Sequence, residues 1–75
     1  MDSAALERQI ERQLESLRRE FADVIPENQV AAIGRAHADR LRAEARILDF
    51  IPVLAYRFAR EELVEIRQDE LQQVA

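Results

Sequence analysis

Between Asp49 and Arg60 the apolar residues are spread so widely that, wound as a helix, they cannot all be covered by a single neighbour. At about 100° per residue, three stripes emerge. Ile51, Leu54 and Phe58 form one; Ala55, Ala59, Leu63 and Ile66 an adjoining one; Val53, Val64 and Leu71 a third on the far side. A helix that is apolar most of the way round is a central helix, packed from two directions. This segment is therefore expected both in the core and at an interface with another chain.

The chain around it is short. Its 75 residues make one domain, 1–75, and a domain of this size buries only roughly 60% or a little more of its unfolded surface. Ordering it costs on the order of 100 kcal/mol at about 1.5 kcal/mol per residue, so association is an evident source of further burial. With 48% hydrophobic and 35% charged residues, the composition is that of a folded protein.

Composition also narrows the chemistry. The absence of Cys removes disulfides, a thiolate nucleophile and Cys-based zinc sites. No apolar run reaches the roughly 20 residues of a membrane span, and Met1-Asp2-Ser3 does not begin a signal peptide, so a cytoplasmic protein is expected. A net charge of −4 argues against nucleic-acid or anionic-membrane binding, which needs a concentrated basic surface. All 11 basic residues are Arg, a usage that fits a GC-rich genome, and they alternate with Glu.

Three helices are predicted, at about 3–22, 27–43 and 50–70. Asp2 or Ser3 can cap the first, and Leu6, Ile10, Leu14, Leu17 and Phe21 give it one narrow apolar stripe. Its other face holds Arg and Glu, with Arg12–Glu15 and Glu15–Arg19 as expected surface pairs. Pro26 ends this helix and opens the next, with Val24 and Ile25 closing the bottom of the core. Val30, Ile33, Gly34, His37 and Leu41 share a face of the second helix. Gly34, the single glycine, costs about 1 kcal/mol in a helix and is expected to let another helix backbone approach. Residues 43–48 contain no strong breaker, but Asp49 is a good N-cap and Pro52 falls in the tolerated first turn of the third helix. Two one-sided helices covering a third give an all-α, up-down-up three-helix bundle. Its expected core is Leu6, Ile10, Leu14, Leu17, Phe21, Val30, Ile33, Leu41, Ile51, Leu54 and Phe58.

No catalytic constellation is visible. His37, the single histidine, lacks a nucleophile in a recognisable context and is expected to hydrogen-bond a neighbouring helix. A helical carboxylate site wants Glu three positions before a His, where this chain has Gly34. Glu61, Glu62 and Glu65 lack partner ligands, and no glycine-rich phosphate loop is present. A helix-turn-helix reader would need polar side chains where Phe50, Ile51, Pro52, Val53 and Leu54 stand. No catalysis, cofactor, metal, small-molecule ligand, nucleic acid or membrane is expected.

The series Phe21-Ala22-Asp23-Val24 with Pro26, Val30 to Ile33, Ala36-His37-Ala38 and Asp49-Phe50-Ile51-Pro52-Val53-Leu54, followed by Arg57, Ala59-Arg60 and Leu63, resembles the three-helix bundle dimerization domain family. That family comprises short proteins of GC-rich Gram-positive bacteria, and a similar domain precedes the catalytic domain of some arsenate reductases of the low-molecular-weight tyrosine phosphatase type. The resemblance spans about Leu6 to Leu63 and is most specific at Phe50-Ile51-Pro52-Val53-Leu54. It implies a dimerising bundle without catalysis of its own, since the phosphatase loop needs a Cys.

The expected function is a non-catalytic module that homodimerises, or heterodimerises with a longer protein carrying a related domain. Val53, Tyr56, Arg60, Leu63 and Val64 are its expected interface. The alternatives are a small nucleic-acid-associated regulator, marked by salt-sensitive DNA binding, or a non-catalytic subunit of an arsenate reductase or phosphatase-like enzyme.

Overall fold

Asp2 opens the first helix from an extended backbone, its Oδ1 accepting the N–H of Ala5 at 2.7 Å. That bond satisfies one of the first-turn donors left free by helix geometry. In the computed structural model, which describes residues 2–44 and 50–73, the helices are α1 (Ser3–Glu20), α2 (Glu27–Glu44) and α3 (Ile51–Gln73), with no strand among the described residues. The expected Asp49 cap, most of the second turn at 43–48, and the chain end at 74–75 lie outside the described residues.

Helix α1 stops two residues earlier than expected. Phe21 leaves helical geometry while its N–H still reaches the Leu17 carbonyl at 3.1 Å. The Phe21 carbonyl then accepts from both Val24 (3.1 Å) and Ile25 (2.9 Å), closing the turn. Pro26 performs the next step, its carbonyl accepting from Gln29 and Val30 at the start of α2. Helix α3 runs past the expected residue 70 because the chain offers no breaker there.

Two groups of buried side chains define the topology. At one end, Leu6, Ile10 and Leu14 of α1 meet Ala38 and Leu41 of α2 and Ile51 and Ala55 of α3. At the other, Leu17, Phe21 and Ile25 meet Val30 of α2 and Ala59 and Leu63 of α3. Both ends match only if α2 runs against α1 and α3 runs with it, so the helices go up, down and up. The result is elongated, 46 × 20 × 14 Å, with every helix touching the other two.

The middle of the core divides by residue size, with Val30, Leu41, Ile51 and Leu63 closing its two ends. Helix α1 contributes the large side chains Leu6, Ile10, Leu14, Leu17 and, at its end, Phe21, all 4% exposed or less. Facing them, α2 and α3 present Gly34, Ala38, Ala55 and Ala59, all buried. Of the expected core, Leu6, Ile10, Leu14, Leu17, Phe21, Val30, Leu41 and Ile51 are buried. Ile33, Leu54 and Phe58 are corrected to half-buried positions flanking the core. The innermost line of α3 is Ile51, Ala55, Ala59 and Leu63, so small residues take the centre and push the larger Leu54 and Phe58 to its edge.

Gly34 also differs from expectation. A Cβ there would stand 2.1 Å from Leu14 Cδ2 and 3.8 Å from Leu17 Cδ1, so the space is used by a side chain of α1 and not by a backbone. Gly34→Ala sets a helix-propensity gain of about 1 kcal/mol against about 1–3 kcal/mol of overpacking. Urea unfolding should show net destabilisation by about 1 kcal/mol in the wild-type background. In a Leu14→Ala background the same change should become stabilising, because the obstructing methyl is gone. Additive effects of the two substitutions would show that Leu14 is not what the glycine accommodates.

Candidate interaction face

Every large hydrophobic residue standing exposed among the described residues belongs to the third helix or the residue before it. Phe50 is 57% exposed, and Val53 and Leu71 are each 60% exposed. Val64 lies between Val53 and Leu71 on the same side at helical spacing and is half-buried. Helix α3 thus has an inner line in the core and an outer line in water, as a central helix with only two neighbours must.

The expected interface residues separate on this geometry. Val53 and Val64 lie on the outer line, and Arg60 lies beside it with its side chain 45% exposed. Leu63 does not belong there. It is 0% exposed, packed in the core group with Ala59 and Phe21, which corrects the expected assignment. Tyr56 is half-buried against the same group and forms the edge of the face. Phe50 and Leu71 are the outer residues the expected interface omitted. Continuing the 3.6-residue period in both directions from Val53 and Val64 finds them.

Polar side chains tie each pair of helices along its outer edge. Arg35 of α2 reaches Glu7 (3.1 Å) and Glu11 of α1, and Arg42 also reaches Glu7. Arg60 of α3 holds Glu20 of α1 through Nε at 2.8 Å and Nη2 at 2.6 Å. This hydrogen bond raises the Arg60 pKa above its ordinary value. His37 of α2 meets Glu62 of α3 at 2.8 Å through Nε2, the expected bond to a neighbouring helix. Its Nδ1 lies 3.0 Å from Arg40 Nη2, and a guanidinium can only donate. The neutral tautomer that accepts from Arg40 at Nδ1 is the one that donates Nε2–H to Glu62. Arg40 also sits 5.7 Å from the centre of the half-buried Phe58 ring. Contacts of this exposed kind are worth about 0–1 kcal/mol each, so they order helix edges more than they hold the bundle.

The acidic cluster resolves into separate contacts. Glu61 pairs with Arg57 at 3.5 Å and Glu62 with His37. Among the described residues no His, Cys, Asp and Glu side chains gather into a group that could hold a metal ion, and no helix is long and apolar enough to cross a membrane. An open cleft of about 430 Å³ lies beside the α1–α2 turn, between Arg18, Arg19 and Pro26. Its arginines are already paired: Arg18 binds Glu15 at 2.6 Å and Glu27 at 3.5 Å, and Arg19 binds Glu15 at 3.3 Å. Glu15 therefore pairs with Arg18 as well as the expected Arg19, whereas the expected Arg12–Glu15 pair does not form.

No family model, curated protein or solved structure matches the chain.

Two measurements check these placements. Leu63→Ala should cost about 2–5 kcal/mol, the loss for a buried leucine, while Val53→Ala should change monomer stability by less than about 0.5 kcal/mol. Equal losses would return Leu63 to the surface. Separately, the hydrogen bond and charge of Arg18 lower the Glu15 pKa from its ordinary 4.5. A depressed carboxylate contributes stability fully above its unfolded value and loses it as pH falls through the folded one. Stability should thus decline below about pH 4.5 by a component that Glu15→Gln removes. An unchanged acid profile in that variant would mean the pair contributes nothing.

Proposed function

We propose that this chain is a non-catalytic interaction module that homodimerises through the outer line of α3. The carrying observation is the confinement of Phe50, Val53 and Leu71, the large exposed hydrophobics among the described residues, to one helix and its entry. Scattered exposed apolar residues are ordinary, but several aligned along one side of one helix are the usual mark of an interaction site. A two-fold dimer covers such a line with its own copy and leaves no second adhesive surface. The resemblance to the three-helix bundle dimerization domains points the same way and adds a longer protein carrying a related domain as a hetero-partner. A cytoplasmic location belongs to the same reading.

Sedimentation velocity across micromolar concentrations tests the proposal. The wild-type chain should sediment as a dimer, and Val53→Glu with Leu71→Glu should weaken association by about tenfold or more. Because both positions are exposed, the helical circular dichroism of the double variant should persist in the monomer. A wild-type chain that remains monomeric at the highest soluble concentration, or a dimer indifferent to both substitutions, overturns it.

A further inference from the structure

The outer line of α3 has a symmetry of its own. Reading outward from the Arg60–Glu61 bond, Arg57, Val53 and Phe50 follow Arg60 at intervals of three, four and three residues. Val64, Gln68 and Leu71 follow Glu61 at the same intervals in the other direction. Alternating threes and fours are the spacing at which one helix meets another. A line that reads the same from both ends matches a copy of itself running the opposite way.

Resting on the dimer reading above, we propose that two copies pair antiparallel along α3, with the two-fold axis passing between Arg60 and Glu61. Phe50 of each copy then meets Leu71 of the other, Val53 meets Gln68, and the stem of Arg57 lies over Val64. At the axis, Arg60 of each copy, which also holds Glu20 of its own chain, faces Glu61 of its partner, itself beside Arg57, so opposite charges meet twice. A parallel pairing in register sets Arg57, Arg60 and Glu61 each against its own copy. Such like-charge contacts select against that arrangement.

The free helix end supports the same direction. Beyond Arg67, which covers the Phe21 ring at 4.9 Å, residues 68–73 are exposed in the single chain. The last turn contains no basic residue, and Asp69 and Glu70 stand near the negative end of the helix dipole. Antiparallel pairing lays this end beside the partner's α3 N-terminus, where the dipole is positive. Parallel pairing brings two such ends together.

The absence of Cys makes the geometry directly readable. Val53→Cys and Gln68→Cys are prepared separately, checked for dimer formation by sedimentation in reductant, and treated with a short bis-maleimide alone and as an equimolar mixture. Neither should cross-link efficiently alone, while the mixture should yield a species whose mass contains one of each. Phe50→Cys with Leu71→Cys gives a second pair with the same expected pattern, since like positions then lie about 30 Å apart along the helices. Dimers in which each single variant links to itself, without excess mixed product, overturn the antiparallel pairing while leaving dimerisation intact. Dimers that cross-link in no combination place the interface elsewhere and overturn the proposal too. Monomers by sedimentation remove the underlying dimer reading itself.

Discussion

The fit of Leu14 over Gly34 is the contact on which the bundle depends. Without a Cβ at residue 34, a leucine methyl of α1 occupies the place where one would stand. That close approach lets α1 lay its row of Leu6, Ile10, Leu14 and Leu17 into the seam between α2 and α3. Ala38, Ala55 and Ala59 continue the small lining along the seam. Interiors are close-packed, so a large row on one helix requires small residues on its opposite wall.

This division explains what could be read from the sequence. The helix count, the start of α2 at Pro26 and the core face of α1 were legible, because α1 has one unambiguous stripe of large residues and Pro26 is a strong breaker. The phase of α3 was harder to read. Its large residues Leu54 and Phe58 suggest one inward direction, whereas burial follows Ile51, Ala55, Ala59 and Leu63. Hydrophobicity weights a phenylalanine far above an alanine, but packing against the large residues of α1 favours the alanine. Mistaking the phase by part of a turn put Leu63 in the expected interface and left Phe50 and Leu71 out of it, although Leu71 shares the far stripe with Val53 and Val64 in the sequence.

The polar contacts were partly legible for a related reason. Pairs within a helix follow from spacing alone, as Glu15–Arg19 and Arg57–Glu61 do. Pairs between helices, such as Arg35–Glu7 or Arg60–Glu20, depend on which edges meet and emerge only once the topology is known. The α2–α3 edge differs from the others because its tie is a histidine between a carboxylate and a guanidinium.

The unequal sharing of residue size has a consequence for cooperativity. The α2–α3 pair alone would turn Val30, Leu41, Ile51 and Leu63 toward water together with the small residues Gly34, Ala38, Ala55 and Ala59, an apolar groove with nothing to fill it. Helix α1 alone would expose a leucine-rich row with nothing to bury it. Neither piece therefore keeps a closed core by itself, and loss of α1 opens the apolar seam between the other two helices to water. A domain built this way is suited to all-or-none unfolding, with no shorter fragment that retains the fold.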